Sequence, residues 1–399
     1  MTPLLSLERA GARSSALFRG FVAGVNRRHA PRERSGARAV LWGRRMAEYL
    51  RSLAFFRGVA IVLIVAGHCF ALVDWSAERL PEKLLENLVK GSTVLFVFIS
   101  GFLFHHVFAP KFQLRRFLGK KLRFVLLPYL TLSLAPVVYF VFIEGAGPFS
   151  ELIYSGRPGL WGEHLQPALM YLWTGRHLLA YWYIPFIMVV FALSPVFLGY
   201  LRLPLWARLL IMGATLIVAM LVHRPVKNIS VLQSVVYFLP AYLLGMNVSL
   251  HKRAVLRRLA GKEPWLALAV IGLASAQLTL YTQYSNLHKQ PLEWGGVDIL
   301  LLQKLIACLL LYALLERLRE RELPVLDALA SSSFAIFFLH PLLLLGLRRY
   351  DTQDWPLFGA LPPTLGWLVW VVAVTLACYG VASIIRALLG RYSRYIIGW

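Results

Sequence analysis

Ten blocks of bilayer length dominate this sequence and constrain its fold more than any other feature. They cover 53–73, 88–108, 118–142, 180–199, 209–222, 229–248, 265–281, 296–315, 331–347 and 364–385, and most are bounded by charge or proline. Each is apolar all round and close to the ~20 residues that a helix needs to cross a membrane. Hydrocarbon offers no water to an unpaired N–H or C=O, so such blocks cross it as helices that satisfy their own backbone. Helices of a soluble protein would instead keep a polar face. Only 15% of the residues are charged, against ~25% in ordinary soluble chains. The expected fold is an all-α integral membrane protein, a polytopic bundle of about ten transmembrane helices.

The formal charge of +23 raises the question of nucleic acid, but its distribution answers otherwise. With the N-terminus inside, the inner segments hold 30 of the 42 Lys and Arg, and the outer segments hold 10. Arg57 and Lys304 fall within spans. A threefold bias of this kind is the positive-inside signature and predicts that both termini are cytoplasmic. The charge is thus a topology signal with some attraction to anionic lipid headgroups, and no nucleic-acid partner is expected. Cys69, Cys308 and Cys378 all fall inside spans and read as small apolar residues. No Cys/His spacing suggests a zinc site, and no metal is expected.

Residues 1–45 form an Arg-rich extension, expected to be poorly ordered or to lie on the inner leaflet. It lacks an apolar core long enough for a signal peptide. Residues 46–399 are expected to form one transmembrane domain, with Met46 a conceivable later start. No glycine-rich phosphate loop, tandem repeat or separate soluble domain is evident, so chemistry belongs in the membrane or at its faces. The long connection Ile143 to Leu179, rich in Gly, Pro, Trp and Tyr, is expected to act as a lid or to re-enter the bundle.

Ionisable residues inside lipid are costly, and so informative. Arg57 and His68 are 11 residues apart in the first span. At ~100° per residue they project from one helix face, roughly 16 Å apart along its axis. Arg57 alone could snorkel to headgroups, and His68 alone could make an interhelical hydrogen bond. Together they read as two ends of one path. Ser100 and Gly101 in the second span read as a close-packing pair. Arg116, Lys120, Lys121 and Arg123 form a dense basic cluster at the inner surface. It reads either as a positive-inside anchor or as a site for a cytosolic polyanion. His340, immediately before Pro341, either bonds across helices or lines the cavity of His68. Lys304 has no obvious local partner.

These blocks, in this order, resemble the acyltransferase family 3 membrane enzymes, which acylate sugars of bacterial surface and secreted polysaccharides. The resemblance rests on the Arg57–His68 helix with Gly58, Phe-Ile-Ser-Gly-Phe at 98–102, the basic-then-Pro-Tyr stretch from Lys120 to Tyr129, Trp182 to Pro185, Pro-Ala-Tyr-Leu-Leu-Gly at 240–245, and the Ile-Phe-Phe-Leu-His-Pro ending at Pro341. It spans roughly residues 50 to 390 and is closest to the exopolysaccharide and fucose O-acetylase branch. In place of the Arg-x-x-Arg that many relatives carry stands Lys120-x-x-Arg123, and a fused esterase-like domain is not expected.

The resemblance implies an O-acyltransferase of the bacterial inner membrane. Cytosolic acyl-CoA, most simply acetyl-CoA, would be the donor, and the acceptor a hydroxyl of a polysaccharide or lipid-linked glycan, with an exopolysaccharide synthesis complex as a conceivable partner. His68 and Arg57 would be catalytic. Lys120, Lys121, Arg123 and Arg116 would hold donor phosphates, and His340, Trp182 and Tyr183 would meet the acceptor. A transporter or flippase of a polysaccharide intermediate is the runner-up, although no internal repeat supports it. A third reading, a subunit that only organises a complex, predicts that His68 is dispensable.

Overall fold

The computed structural model describes the backbone of residues 36–73, 75–349 and 361–399, and the side chains of 51–73, 75–348 and 361–399. The extension expected over residues 1–45 lies outside the described side chains, and residues 1–35 lie outside the described backbone as well. Among the described residues, nine helical stretches are long and apolar enough to cross a membrane, and a pair bent by 54° completes ten. All ten expected blocks are therefore helical, and the chain is a multi-pass membrane protein.

The helices used below are α1 (Gly36–Cys69), α2 (Leu80–Val89), α3 (Thr93–Leu103), α4 (Leu114–Lys121), α5 (Leu127–Val138) and α6 (Gln166–Thr174). After them come α7 (Tyr183–Ala192), α8 (Ser194–Arg202), α9 (Leu205–Val222), α10 (Val231–Leu250), α11 (Glu263–Leu280), α12 (Ile299–Arg317), α13 (Pro324–Arg349) and α14 (Pro363–Leu389). The second span joins α2 and α3 within Leu80–Lys111, and the third joins α4 and α5 within Leu114–Ile143. The bent pair is α7 with α8. Its break falls at Leu193, ahead of Ser194 and Pro195, where proline removes a backbone donor and crowds the preceding turn.

Lipid solvates apolar side chains as well as a protein core does, so packing rather than hydrophobicity decides which helices sit centrally. For α10, 72% of the apolar window is buried inside the bundle, against 11% for α9. Leu210 and Ile217 of α9 accordingly point outward. The close approach of α3 and α10 depends on two glycines. A Cβ on Gly101 would lie 2.0 Å from the Tyr242 carbonyl oxygen, and one on Gly245 would lie 2.1 Å from that of Phe98. The backbones touch here, as the small residues of the second span led us to expect.

The connection from 144 to 182 is a structured segment. It contains α6, which continues a helical stretch that runs from 159 to 174 and at ~1.5 Å per residue falls short of the ~30 Å hydrocarbon core. His177 is fully buried and ties the segment to the bundle, with Nδ1 against the Tyr171 carbonyl at 3.1 Å and Nε2 against Ser133 Oγ at 2.8 Å. Two later loops meet through a short parallel pair, β1 (Arg224–Pro225) and β2 (His288–Lys289).

Candidate active site

The first helix packs alongside α13, which runs in the same direction, and that pairing organises the site. The Arg57 guanidinium donates from Nε and Nη2 to the Ala330 carbonyl at 3.1 and 2.5 Å. Ten residues further along α13, the His340 ring stacks on His68, with centroids 5.5 Å apart and planes at 26°. Both side chains thus face one neighbour, as their 11-residue spacing requires. Gly58 permits the contact, since a Cβ there would meet the Leu326 carbonyl at 3.1 Å.

His68 lines a cavity of about 640 Å³. Among the described residues neither of its ring nitrogens has a hydrogen-bond partner. His340 is not on that wall but backs His68 from behind. Its Nδ1 lies 2.9 Å from the Ile336 carbonyl, so Nδ1 must carry the proton and Nε2 is a bare acceptor. That Nε2 is buried without a partner.

Three local devices shape the rest of the wall. The first is the break between α2 and α3, where Gly91 has φ +82°. Buried Lys304 sends its Nζ to the carbonyls of Asn87 and Leu88, 2.8 Å to each. These are helix-end acceptors with no intrahelical donor, and capping them leaves Lys90, Gly91 and Ser92 on the cavity. Asn87 extends the clamp, donating to the Tyr284 carbonyl at 2.7 Å and accepting from Gln303 at 2.8 Å. The position of Lys304 is therefore explained by structure.

The second device is the turn after α6. Gly175 has φ +67°, and a Cβ there would lie 2.5 Å from Trp182 N and the Tyr181 carbonyl. Only glycine fits, and the tight return brings Arg176, Trp182 and Tyr183 to the cavity. The third is the loop carrying β1. His223, Lys227 and Asn228 all have φ between 49° and 58°, and His223, with ψ −179°, occupies a region that otherwise belongs to glycine. Such conformations cost about 1–3 kcal/mol each and persist only where the surroundings enforce them. Here His223 Nε2 bonds the Gly296 carbonyl at 3.0 Å, and Asn228 accepts from Arg224 at 3.1 Å.

Electrostatically the cavity is lopsided. Glu86, the carboxylate among the described residues that line it, is taken by an ion pair with Lys90 and by the Trp75 indole at 2.9 Å. Arg176, Arg224 and Arg348 also line the cavity, and none of them has an ion pair among the described residues. Burial, then the neighbouring Arg224, push the Arg176 guanidinium down to about 10. His288, on the wall, has Nδ1 against the Pro225 carbonyl at 2.8 Å. Burial first and Arg224 second push it down to about 4, so it is neutral at pH 7.

Of the residues singled out from sequence, His68, Trp182 and Tyr183 come together on this wall, His340 stands behind it, and Arg57 lies away from it, at the Ala330 level of α13. The basic cluster lies at the opposite end of the bundle. Arg116, Lys120 and Arg123 are exposed there. Lys121 folds inward, its Nζ 4.1 to 5.3 Å from the ring centroids of Phe108, Phe117 and Phe191. At the same end a shallow pocket of about 380 Å³ is lined by His251, Lys252, Arg253 and Arg257. Sequence reasoning missed Glu86, Lys90, Arg176, Arg224, His288 and Arg348. A signal was present for the cations. They are basic residues in segments assigned to the outer face, where the positive-inside rule disfavours them, so each needs another reason to be there.

A polytopic helical bundle with an imidazole on a polar internal cavity, its ring nitrogens free of hydrogen-bond partners among the described residues, is an arrangement that a membrane enzyme would use. A family model described as an acyltransferase domain matches residues 50–386, and the chain belongs to that family, acyltransferase family 3. No curated protein and no solved structure matched the chain.

Proposed function

We propose that this acyltransferase moves an acyl group, acetyl or succinyl, from cytosolic acyl-CoA to a sugar hydroxyl of an exopolysaccharide or other surface glycan. In this reading it does so from the bacterial inner membrane, with both termini cytoplasmic. The observation that carries it is His68, an imidazole on the cavity wall whose ring nitrogens have no hydrogen-bond partner among the described residues. A hydroxyl is a weak nucleophile at neutral pH, and a neutral imidazole within reach can take its proton as oxygen attacks the thioester carbonyl. The C–O bond forms, the C–S bond breaks, and the proton passes to the departing CoA sulfur. A route through an acyl-imidazole on His68 needs the same residue.

Arg57 suits the donor side. Two of its donors are fixed on the Ala330 carbonyl, and the remainder of the fork could meet a donor phosphate, since Arg57 stands roughly 16 Å along the helix from the carbonyl under attack at His68. Lys120, Lys121, Arg123 and Arg116, with the His251–Arg257 pocket, supply positive charge for the CoA phosphates at that end. Trp182 and Tyr183 offer the apolar and hydroxyl surfaces that sugar rings stack and bond against.

His68→Ala tests the reading. Purified variant, given acyl-CoA and acceptor, should lose acyl transfer by about 10²–10⁴ while remaining monodisperse. Full transfer by His68→Ala would make His68 structural and end the proposed mechanism. Arg57→Lys keeps charge without the planar fork, so its activity separates simple charge from bidentate geometry.

A further inference from the structure

We infer that the acceptor is an acidic glycan, and that Arg176 and Arg224 hold its carboxylate or phosphate in the cavity beside His68. The inference rests on the acyl-transfer reading for what is done to the glycan, but the anion site stands on its own observations.

Arg176 and Arg224 are 5% and 4% exposed, and both line the cavity. The Nε of each is buried without a hydrogen-bond partner among the described residues. The Arg176 guanidinium makes no hydrogen bond or ion pair to any described residue, and lies 4.2 Å over the Phe149 ring. That of Arg224 donates to Asn228 and faces Trp182 at 5.3 Å and Phe238 at 5.6 Å. Asp298 is close enough to act on Arg224, but its carboxylate oxygens are used by the Leu301 N–H and the Tyr237 hydroxyl. Two guanidiniums so little exposed, near each other and with no ion pair among the described residues, are unfavourable unless something anionic joins them. Aromatic faces return only part of that loss.

The same charges reach the catalytic ring. Arg348, Lys90 and Arg176 all act electrostatically on His68. An anion seated on Arg176 and Arg224 would therefore place its attached sugar against His68 and the Trp182–Tyr183 wall. Guanidinium forks match carboxylate and phosphate alike, so uronates, ketal-linked carboxylates and phosphate substituents share the required chemistry. The phosphates of CoA share it too. The location argues for the acceptor, because the cavity is at the His68 end, away from Arg57 and the Lys120–Arg123 cluster. Exposed Arg348, on the cavity wall, adds attraction for an incoming anion.

The test uses the full-length protein in lipid nanodiscs. Binding is measured for a neutral gluco-oligosaccharide, its glucuronate counterpart and its phosphorylated counterpart, and acyl transfer to each is followed in parallel. At least one acidic probe should bind 10-fold or more tightly than the neutral one, and the preference should shrink with salt. Arg176→Gln and Arg224→Gln should each remove most of that preference while leaving KM for acyl-CoA within twofold. Arg176→Lys and Arg224→Lys should restore part of it, which a merely misfolded variant would not show. Equal binding of all three probes overturns the inference. So does a raised KM for acyl-CoA in the Gln variants with glycan binding intact, which would assign the arginines to donor phosphates. Arginine-dependent binding of an acidic probe without any acyl transfer would uphold the anion site and refute the acyl-transfer reading.

Discussion

Replacing Lys304 with Met asks whether an intramembrane cation serves architecture or chemistry. Lys304 is 3% exposed, and its Nζ donates to two carbonyls at the end of α2, both at 2.8 Å. Met has a similar length and fills the space, so little of the cost comes from a cavity. What remains is two buried acceptors without donors. Each unsatisfied acceptor costs about 1–3 kcal/mol, which bounds the loss near 6. Hydrogen bonds between membrane helices measure nearer ~0.6 kcal/mol each, which sets a floor near 1. We expect a destabilisation of about 2–3 kcal/mol, between these bounds, seen as an earlier midpoint when the protein is unfolded reversibly in mixed micelles. Because the clamp holds Lys90, Gly91 and Ser92 on the cavity wall, acyl transfer should fall only partly, mainly through acceptor KM. An unchanged unfolding midpoint with complete loss of turnover would refute the reasoning, for it would place Lys304 in the chemistry or on an ion path.

Three further expectations follow from the same geometry. Gly245→Ala puts a Cβ where the Phe98 carbonyl oxygen would be 2.1 Å away, so α3 and α10 must separate. The strain, about 1–3 kcal/mol, should lower the thermal transition, and an unaltered transition would mean that the helices do not touch there. Stability should also fall on acidification. Burial holds both His177 and His288 at about 4 in the folded protein, against ~6.5 when unfolded. The unfolded chain then binds more protons between pH 6.5 and 4, so stability is full above 6.5 and declines toward 4. A melting temperature flat across that window in wild type, or equally sloped in a His177→Gln/His288→Gln variant, would contradict this. Finally, replacing Lys120, Lys121 and Arg123 with Gln should raise KM for acyl-CoA with little effect on membrane insertion, since most inner basic residues remain. An unchanged KM would leave the cluster as a topology anchor.

The ten spans, the packing role of Gly101 and the pairing of Arg57 with His68 on one face were legible in the sequence. Each is set by local arithmetic. Lipid demands ~20 apolar residues per crossing, small residues permit backbone contact, and 11 residues amount to about three helical turns. The role of Lys304 was not legible, because its acceptors at Asn87 and Leu88 are over 200 positions away. Nor was the charge of the cavity. Arg176 arrives on a turn that Gly175 allows, and Arg224 on a strained loop pinned by β2. Lys90 arrives at a helix break. The sequence by itself determined a membrane bundle and a first helix that carries Arg57 and His68 on one face, because hydrophobic length and helical period act between near neighbours. Only the tertiary structure decided what that helix faces, because the cavity wall is assembled from loops that meet at one end of the bundle, and the cost of a buried charge depends on what surrounds it in space.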